Sequence, residues 1–362
     1  MKVLVWQWGR RGAGPRIALL LARALAGLPD TEGRLALSAG AEILATEASA
    51  RCDLLLPLYH GLAGLLVQAA RAPAIVRRLA AEIGRLRPDR AVCAMPGPLD
   101  LLMRAALSRC RVPMAVIVHD ADPHPGDGFP LQHRLNRALI RRAEAVIALS
   151  GHVARRLDEQ HLLAPGTRLI RLPHPPLAFT AAAAPRAQDG RIHVLYFGRL
   201  LAYKGLDLLA DALARIGPRA DIAVHVVGSG PDSPALAALR ALPSVTVENR
   251  WVAEDEIGAV IGWADIVVLP YREASQSGVA AAALAQGKRI LATRVGGLPE
   301  QLENEPLAVL CGADAASIAA ALTAMLDAPP MATAPSDASA AWRDFARRLR
   351  AELDCLVRDP SG

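Results

Sequence analysis

The sequence is poor in aromatic residues, and it has neither a long apolar run nor the two commonest nucleotide-binding fingerprints. Phe, Trp and Tyr make up 4% of the 362 residues, which argues against stacking surfaces for single-stranded nucleic acid. No segment reaches the roughly 18 to 20 uninterrupted apolar residues that a membrane span needs. The loop WGRRGAGPR is neither a G-x-G-x-x-G motif nor a P-loop, so dinucleotide and ATP binding lose support.

The cysteines and the start of the chain indicate the compartment. The five cysteines are scattered and show no C-x-x-C spacing, which predicts buried thiols in a reducing compartment. Residues 2–8, KVLVWQW, form a strand-like run that argues against a signal peptide. We therefore expect a cytoplasmic protein.

Positive charge is concentrated in the first half of the chain. Residues 1–180 hold 24 Lys and Arg against 14 Asp and Glu, whereas the whole chain has a net charge of +6. The N-terminal half is therefore expected to face an anionic partner. Residues 62–87 place arginines between apolar positions, and Pro73 breaks the run. This pattern predicts either a core helix with a solvated basic face or a face that docks on anionic lipid at the inner side of a membrane.

Short apolar runs alternate with helical patterns from one end of the chain to the other. The runs have the length of buried strands and occupy residues 2–8, 90–95, 113–119, 144–150, 192–198, 222–228, 265–270 and 289–293. The alternation predicts an α/β protein with doubly wound parallel sheets. Because the low-complexity segment 177–190 is the best linker, we predict an N-terminal domain over 1–178, a C-terminal domain over 190–335 and a final helix over 338–358. Ligands are expected in a cleft at the carboxyl ends of the strands.

Two cations follow the strand at 192–198. Arg199 and Lys204 lie in the loop FGRLLAYKG, and Gly205 precedes a helical pattern. Cations at the exit of a buried strand and beside a helix start can bind phosphate groups. The alternative is a solvated loop with ordinary surface charges.

The segment YREASQSGVAAAALAQGKRILATRVGGLPE supplies a second half of such a site. Ser277, Gly278 and Val279 begin a helix, and the free N–H groups of a helix start favour an anion. Gly278 permits close backbone approach, while Ser277 is also explained as a plain N-cap. Since Glu273 would repel a phosphate, its predicted partners are the hydroxyl groups of a sugar.

These motifs in combination resemble the retaining family-4 glycosyltransferases, which have the GT-B fold. The resemblance rests on Arg-x4-Lys-Gly after the YFG strand together with SGV…A-x-G-x-x-x-x-AT-x-VGG-x-PE, and it covers nearly the whole chain. It implies two Rossmann-like domains that face a cleft, with the last helix, AAWRDFARRLRAEL, crossing back to the N-terminal domain. It also implies hexosyl transfer from a UDP- or GDP-linked sugar to a saccharide or lipid-linked acceptor of cell-surface polysaccharide assembly. No metal and no nucleic-acid partner are implied.

The resemblance also assigns roles to residues of this sequence. The implied catalytic residues are His119, Glu273, Arg199 and Lys204. The implied donor-binding residues are Gly12, Gly14, Gly228, Trp251, Val252, Ser277, Gly278, Val279 and Glu300. Those implied on the acceptor side are Asp120, Asp122 and His124. A plain flexible turn explains the two glycines of the first loop equally well.

The segment HDADPHPGD at 119–127 admits three interpretations. Its His and Asp side chains are metal-ligand types. Its Asp-Pro and Pro-Gly-Asp steps are also turn chemistry. The resemblance favours a third interpretation, in which His119 reaches the transferred sugar and Asp120 or Asp122 lies near the acceptor.

The sequence departs from the family pattern at one carboxylate. Many relatives carry two glutamates in a Glu-x7-Glu spacing, and the position of the second falls at Ala282 in this chain. Glu273 lies one residue off the position of the first, and Glu300 is the candidate substitute for the ribose contact. The departure keeps two alternatives open: a nucleotide-sugar 2-epimerase on the same fold, and a non-catalytic protein that binds a sugar nucleotide.

Overall fold

The computed structural model of the chain describes residues 1–47, 50–57, 64, 70–122, 130–179, 189–328 and 334–356. These residues fall into two compact units. The first contains the described residues within Met1–Pro123, Asp127–Pro173 and Ser339–Gly362, and the second contains those within His174–Ala338. The chain therefore passes from the first unit to the second after Pro173 and returns to the first at Ser339.

The first unit is built on a seven-stranded parallel sheet with the order β3-β2-β1-β4-β5-β6-β7. Its strands are β1 Lys2–Gln7, β2 Glu32–Ser38, β3 Leu54–Leu56, β4 Arg90–Cys93, β5 Met114–Val118, β6 Ala145–Ala148 and β7 Arg168–Arg171. Its helices in the described residues are α1 Ala13–Ala26, α2 Ile43–Thr46, α3 Ala72–Leu86, α4 Asp100–Arg109, α5 Pro130–Ile140 and α6 Gly151–Glu159.

The second unit is built on a six-stranded parallel sheet with the order β10-β9-β8-β11-β12-β13. Its strands are β8 Ile192–Phe197, β9 Ile222–Gly228, β10 Val245–Asn249, β11 Ile266–Leu269, β12 Arg289–Thr293 and β13 Ala308–Cys311. Its helices in the described residues are α7 Leu206–Ile216, α8 Pro234–Arg240, α9 Ile257–Trp263, α10 Gly278–Ala285, α11 Leu298–Leu302 and α12 Ala315–Asp327, and a 3-10 turn covers Ala202–Lys204.

The central strands carry apolar residues on both faces because both faces are covered by helices. The side chains from Val3 to Trp6 in β1 are fully buried, as are those of Ala145–Ala148 in β6 and Ile266–Leu269 in β11. In a parallel sheet of this kind, a run of buried aliphatic residues is the strand signal. The uninterrupted runs in the sequence therefore mark the middle of each sheet.

The last helix, α13 Ala338–Cys355, belongs to the first unit from Ser339 onward. Arg90 Nε donates to the carbonyl oxygen of Leu353 at 3.4 Å, and Arg168 forms an ion pair with Glu352 at 2.6 Å. A buried stripe with helical spacing runs along it and comprises Trp342, Phe345, Leu349 and Leu353.

No helix among the described residues is both long enough and apolar enough to cross a membrane.

The predicted α/β fold with two doubly wound, Rossmann-like sheets is confirmed. The eight predicted runs correspond to β1, β4, β5, β6, β8, β9, β11 and β12. The sequence analysis missed β2 and the four edge strands β3, β7, β10 and β13. In two of the edge strands, β7 and β10, polar residues interrupt the apolar run: in β7, Arg168 and Arg171 are exposed on either side of the buried Ile170.

A buried carboxyl group ties together the middle of the first sheet. Asp100 is the first residue of α4 and is 1% exposed. Its Oδ1 accepts a hydrogen bond from Trp6 Nε1 at 2.7 Å, and its Oδ2 accepts one from Gly97 N at 2.6 Å. Cys93 Sγ lies 3.6 Å from the same Oδ2. Burial raises the pKa of Asp100 to about 7, and the hydrogen bonds from Trp6 and Gly97 offset only part of that rise.

This raised pKa predicts a pH-dependent stability. The folded-state pKa of Asp100 lies above its ordinary value of 3.8, so its contribution to stability is complete below about pH 4 and is lost as the pH rises through about 7. We expect this group to lower the free energy of unfolding by up to about 1.4 kcal/mol per pH unit in that window. Since Asp100→Asn cannot ionise, its stability should vary less with pH.

Denaturant unfolding at a series of pH values measures this slope. Asp158→Asn, which replaces an exposed carboxylate of the same unit, is the matched control and should keep the wild-type slope. Parallel curves for the wild type and Asp100→Asn between pH 4 and 7 would show that the carboxyl is ionised throughout.

Candidate functional site

The second sheet has its topological switch point between β8 and β11. The chain continues from β8 outward to β9 and β10, whereas β11 leads to β12 and β13 on the opposite side. In open parallel sheets, the crevice for a ligand forms at the carboxyl ends of the two strands where the order reverses. The loops that follow Phe197 and Leu269 both start at this edge.

The loop after β8 brings Arg199 and Lys204 to the switch point. The buried Tyr196 donates its hydroxyl hydrogen to the backbone oxygen of Arg199 at 2.9 Å, which fixes the main chain at this cation. Arg199 Nη2 donates to the hydroxyl oxygen of Tyr203 at 2.6 Å, and Lys204 Nζ lies 5.0 Å from the centroid of the Tyr203 ring. Tyr203 thus holds both cations against one aromatic ring.

The segment after β11 gives Lys204 a second aromatic face. Its Nζ lies 3.8 Å from the centroid of Tyr271, which is a cation–π distance. Burial raises the pKa of Tyr271 to about 12, so the phenol stays neutral beneath the ammonium group. Arg272 N donates to the carbonyl oxygen of Tyr203 at 2.8 Å, so a main-chain hydrogen bond joins the two loops.

Gly205 explains why these two loops can approach so closely. Its φ is +70°, and a Cβ built on it would lie 1.8 Å from the carbonyl oxygen of Pro270. Gly228 at the end of β9 is under the same restriction, since a Cβ there would lie 1.6 Å from the carbonyl oxygen of Gly198. Both positions therefore require glycine for the backbone of the site itself.

Helix α10 begins at the same edge and is capped by side chains. Ser277 is its N-cap, and the Ser277 Oγ accepts a hydrogen bond from Ala280 N at 3.2 Å. Gln301 holds the Ser277 backbone from both sides, accepting from its N at 2.8 Å and donating to its O at 3.0 Å. Tyr271 Oη lies 3.5 Å from Ser277 Oγ. Tyr271 therefore contacts both Lys204 and the helix start.

The first amides of α10 belong to two predicted site residues. Gly278 and Val279 are in the first turn, where an N–H group has no intrahelical acceptor. A Cβ on Gly278 would meet Leu177 Cδ1 at 3.8 Å, an ordinary contact. The fold therefore does not demand glycine at 278.

The two acidic candidates of this unit are exposed, whereas the position of the missing second glutamate is buried. Glu273 and Glu300 are both exposed, the first four residues before Ser277 and the second on α11. Ala282 is 2% exposed within α10. In this chain a methyl group therefore fills the position of the family's second glutamate.

Trp251 and Val252 follow β10 and lie close to the end of β9. Arg250 N donates to the carbonyl oxygen of Gly228 at 2.7 Å, which brings this segment to the carboxyl edge. Val252 is 6% exposed, whereas Trp251 is 42% exposed. The predicted donor-binding residues of the second unit thus lie along one edge of its sheet.

The first unit has its own switch point, between β1 and β4. Two of the predicted donor-binding glycines are in the loop after β1, and the structure distinguishes them. A Cβ on Gly14 would lie 2.8 Å from Gln7 Nε2, so this glycine makes room for a buried amide side chain. Gly12 has φ +80° with no atom within 4 Å of a Cβ built there, so its backbone conformation alone favours glycine.

His119 follows β5 at the carboxyl edge of the first sheet. It is 7% exposed, and its Nε2 lies 3.1 Å from the carbonyl oxygen of Ala94. Because a carbonyl oxygen only accepts, Nε2 carries the hydrogen in this contact. Burial lowers the pKa of His119, and the nearby Asp120 opposes that effect. The imidazole is therefore neutral at pH 7.

The acidic segment after His119 is joined to helix α6 by an ion pair. Both carboxylate oxygens of Asp122 accept from Arg156, at 2.7 and 2.8 Å, and Oδ1 also accepts from Gln160 Nε2 at 2.8 Å. Asp122 thus fastens the chain after β5 to helix α6. Asp120 is exposed, and His124 lies outside the described residues. Where the chain is described, no three His, Cys, Asp or Glu side chains come together as a metal site would require.

Residues that the sequence analysis missed complete the second-unit cluster. Tyr203 and Tyr271 flank the cations, and Gln301 fixes the helix start. The only sequence signal for the two tyrosines was their position beside Arg199, Lys204 and Glu273. Chemically, the cluster presents two cations and a helix N-terminus to one place at a sheet edge, which suits a diphosphate.

Comparison with protein families decides the assignment. A model described as "Glycosyl transferase 4-like domain" matches residues 11–174, and one described as "Glycosyl transferases group 1" matches residues 191–328. The chain belongs to the group 1 glycosyltransferases. The predicted family-4 membership is confirmed, and the cluster at the second switch point lies inside the second match.

The curated relatives of this glycosyltransferase are named for different activities. It is 32% identical over 166 residues to a D-inositol 3-phosphate glycosyltransferase of Arthrobacter sp., covering 42% of this chain and 39% of the relative. It is 29% identical over 234 residues to a glycogen synthase of Mycobacterium tuberculosis, covering 61% of this chain and 56% of the relative. The matches span about half the length of these relatives or less.

Solved structures share the fold over almost the whole length. The Anabaena protein Alr3699/HepE, in complex with UDP and glucose, has a TM-score of 0.70 at 19% identity, over 98% of this chain and 100% of that chain. A putative UDP-N-acetylglucosamine 2-epimerase from Listeria monocytogenes has a TM-score of 0.65 at 13% identity, over 99% and 97%. At such identities the likeness establishes the GT-B fold.

Proposed function

We propose that this glycosyltransferase is a retaining hexosyltransferase that uses a UDP- or GDP-linked sugar as its donor. The observation that carries the proposal is the cluster of Arg199, Lys204 and the N-terminus of α10 around Tyr203 and Tyr271. Negative charge grows on the diphosphate as it leaves the sugar, and preorganised cations and amides stabilise that charge. These groups replace a metal in this role, so the proposed reaction is metal-independent.

In this proposal, the side chains that do not suit a phosphate contact the transferred sugar. Glu273 is exposed near the start of α10 and accepts hydrogen bonds from sugar hydroxyls in this proposal. His119, neutral and buried at the edge of the first sheet, orients the sugar through its ring. A UDP-linked donor has the better support, because the similar Anabaena structures hold UDP with glucose and UDP-glucose.

The proposed acceptor is a lipid-linked saccharide of cell-surface polysaccharide assembly, met at the inner face of the membrane. The first 180 residues are net positive, with 24 basic against 14 acidic residues. This charge supports an acceptor that lies at an anionic membrane surface. The relatives described above are named for different molecules, D-inositol 3-phosphate and glycogen. Acceptor choice therefore rests on the charge of this chain.

A ligand screen followed by product analysis tests the proposal. UDP, GDP, ADP and their sugars are compared by thermal unfolding, since a ligand at about 100 times its Kd stabilises the folded state by about 2.7 kcal/mol. We expect a uridine or guanosine diphosphate to give the largest shift. With the matching sugar nucleotide, turnover should persist after exhaustive EDTA treatment, and the new glycosidic bond should keep the anomeric configuration of the donor.

The alternatives give different products in the same assay. A 2-epimerase, the activity for which the similar Listeria monocytogenes protein is named, changes the sugar of the donor and releases no nucleotide when an acceptor is added. A transferase releases the diphosphate and hydrolyses its donor slowly without an acceptor. A binding protein does neither. Loss of turnover in EDTA with recovery in Mn²⁺ or Mg²⁺ would replace the metal-independent mechanism.

A further inference from the structure

Three helices of the first unit lie side by side over one face of its sheet. The inner sides of α3, α4 and α5 meet in one apolar core, which includes Val76, Leu79, Ile83, Met103, Ala106, Leu107, Leu139 and Ile140. Arg104 Nε donates to the carbonyl oxygen of Arg142 at 3.2 Å, which links α4 to the end of α5. Cys110 Sγ lies 3.3 Å from the carbonyl oxygen of Ala80, which links α4 to α3. The outer sides of the three helices therefore form one continuous surface.

This surface is dominated by arginine. The segments 71–87, 100–111 and 130–142 contain twelve arginines, no lysine and two acids. One of the acids, Asp100, is buried, and the other, Glu82, is paired with Arg85 at 2.8 Å. We call the arginine face the exposed side chains opposite the buried positions of the three helices, namely Arg77, Arg78, Arg85, Arg109, Arg134 and Arg141.

The arginine face carries an uncompensated positive charge. Apart from Arg85, its members form no ion pair with a carboxylate in the part of the chain that the structure describes. α3 is about 22 Å long at 1.5 Å per residue, and packed helices lie about 8 to 10 Å apart. Six guanidinium groups thus share a patch about 20 Å wide, within about two Debye lengths at 0.1 M salt.

The side chains exposed between the arginines favour a lipid surface as the partner over a protein or a nucleic acid. Between the arginines the exposed residues are small, and they include Ala74, Ala81, Gly84, Ala105 and Ser108. Protein interfaces are usually anchored by arginine together with aromatic side chains such as Trp and Tyr, and binders of single-stranded nucleic acid use aromatic stacking. The three segments contain no aromatic residue. Leu131, in the first turn of α5, is 55% exposed and suits insertion at a membrane interface.

We propose that the arginine face docks on a bilayer surface that is rich in anionic phospholipid. Long-range attraction to such a surface needs no specific pocket, and each basic residue near it strengthens binding about fivefold. The proposal extends the proposed function, in which the acceptor is lipid-linked, because docking would bring the first unit to that acceptor. The docking itself requires neither donor nor acceptor, so it is measured separately from turnover.

Co-sedimentation of the full chain with vesicles tests the docking. Vesicles of equal parts phosphatidylglycerol and phosphatidylcholine are compared with phosphatidylcholine alone, and we expect binding only to the first, weakening steeply as salt is raised. The triple variant Arg78→Gln, Arg109→Gln, Arg141→Gln removes one charge from each helix segment and should lose about a hundredfold in partitioning. The corresponding Arg→Lys triple variant keeps the charge and should retain most of the binding.

A matched control removes the same charge from the second unit. Arg215, Arg240 and Arg294 are exposed there, and their replacement by Gln should leave vesicle binding within about twofold if the effect is local to the face. Equal losses in the two triple variants, or equal binding to phosphatidylcholine alone, would overturn the proposal. Tighter binding to an RNA or DNA duplex than to the anionic vesicles, at the same salt, would assign the face to nucleic acid. If transfer to a soluble acceptor fails while vesicle binding persists, the proposed function falls and the docking stands.

Discussion

Replacing Arg199 or Lys204 by alanine should weaken the binding of a nucleoside diphosphate about tenfold to a hundredfold, because hydrogen bonds to charged groups contribute about 1.5 to 3 kcal/mol. Arg199 is bonded to the Tyr203 hydroxyl, and Lys204 lies over the Tyr271 ring. Both cations are therefore held at the switch point before a ligand arrives. Isothermal titration calorimetry of each variant with UDP and GDP measures the change.

The control for these two variants is Arg240→Ala. It removes a cation of the same unit whose ion pair with Asp232 is exposed, so nucleotide affinity should not change. Thermal unfolding without ligand confirms that Arg199→Ala and Lys204→Ala still fold. Unchanged affinity in both variants, with the fold intact, would remove the diphosphate from this cluster.

Replacing Glu273 by glutamine should separate the sugar from the nucleotide. A carboxylate beside a diphosphate is repelled by it, so Glu273→Gln should bind free nucleoside diphosphate equally or slightly more tightly. It should bind the intact sugar nucleotide about tenfold more weakly, since it loses charge-assisted hydrogen bonds to sugar hydroxyls. Turnover should fall further if positive charge develops on the sugar in the transition state.

Glu300→Gln provides the contrast to this variant. Glu300 is the candidate for the ribose contact, and ribose is present in the free diphosphate and in the sugar nucleotide alike. Its replacement should therefore weaken both ligands to a similar extent. If Glu273→Gln also weakens both ligands together, Glu273 supports the loop and makes no privileged contact with the sugar.

The fold could be predicted from the sequence because the buried middle of each sheet is visible in one dimension. β1, β6 and β11 are runs of mostly aliphatic residues that are covered on both sides. Two edge strands were missed because their exposed positions carry polar residues, Arg168 and Arg171 in β7 and Thr246 and Asn249 in β10. The other two, β3 and β13, are apolar but span only three and four residues, and so short a run is not distinctive in a sequence.

The site could be predicted only where its residues lie near the ends of strands. Arg199 and Lys204 lie in the segment that follows β8, and Ser277 lies in the segment that follows β11. Strand ends in parallel sheets meet at one edge. Gln301 contacts Ser277 from 24 positions away in the chain, and this contact depends on where α11 packs. Tyr203 and Tyr271 read as ordinary core residues until the structure places Lys204 over them.

The charge of the first unit shows the same limit. The segment 62–87 was recognised as basic from its sequence, but the arginines of α4 and α5 were not connected to it. Arg78, Arg109 and Arg141 are separated by about thirty residues each. They become neighbours only because consecutive helices of the unit pack on the same face of the sheet and share one core. Which charges add to one field is a property of the topology.

The main-chain hydrogen bond from Arg272 N to the Tyr203 oxygen, together with Gly205 beneath Pro270, has a thermodynamic consequence. It crosslinks the loop that carries Arg199 and Lys204 to the segment that follows β11, so the conformational entropy of both is lost when the chain folds. Fixing a loop residue costs about 1 to 2 kcal/mol, and a ligand that had to order these loops would lose that amount per residue from its affinity. A diphosphate bound as proposed would meet loops that are already ordered, so this ordering cost would not be subtracted from its affinity.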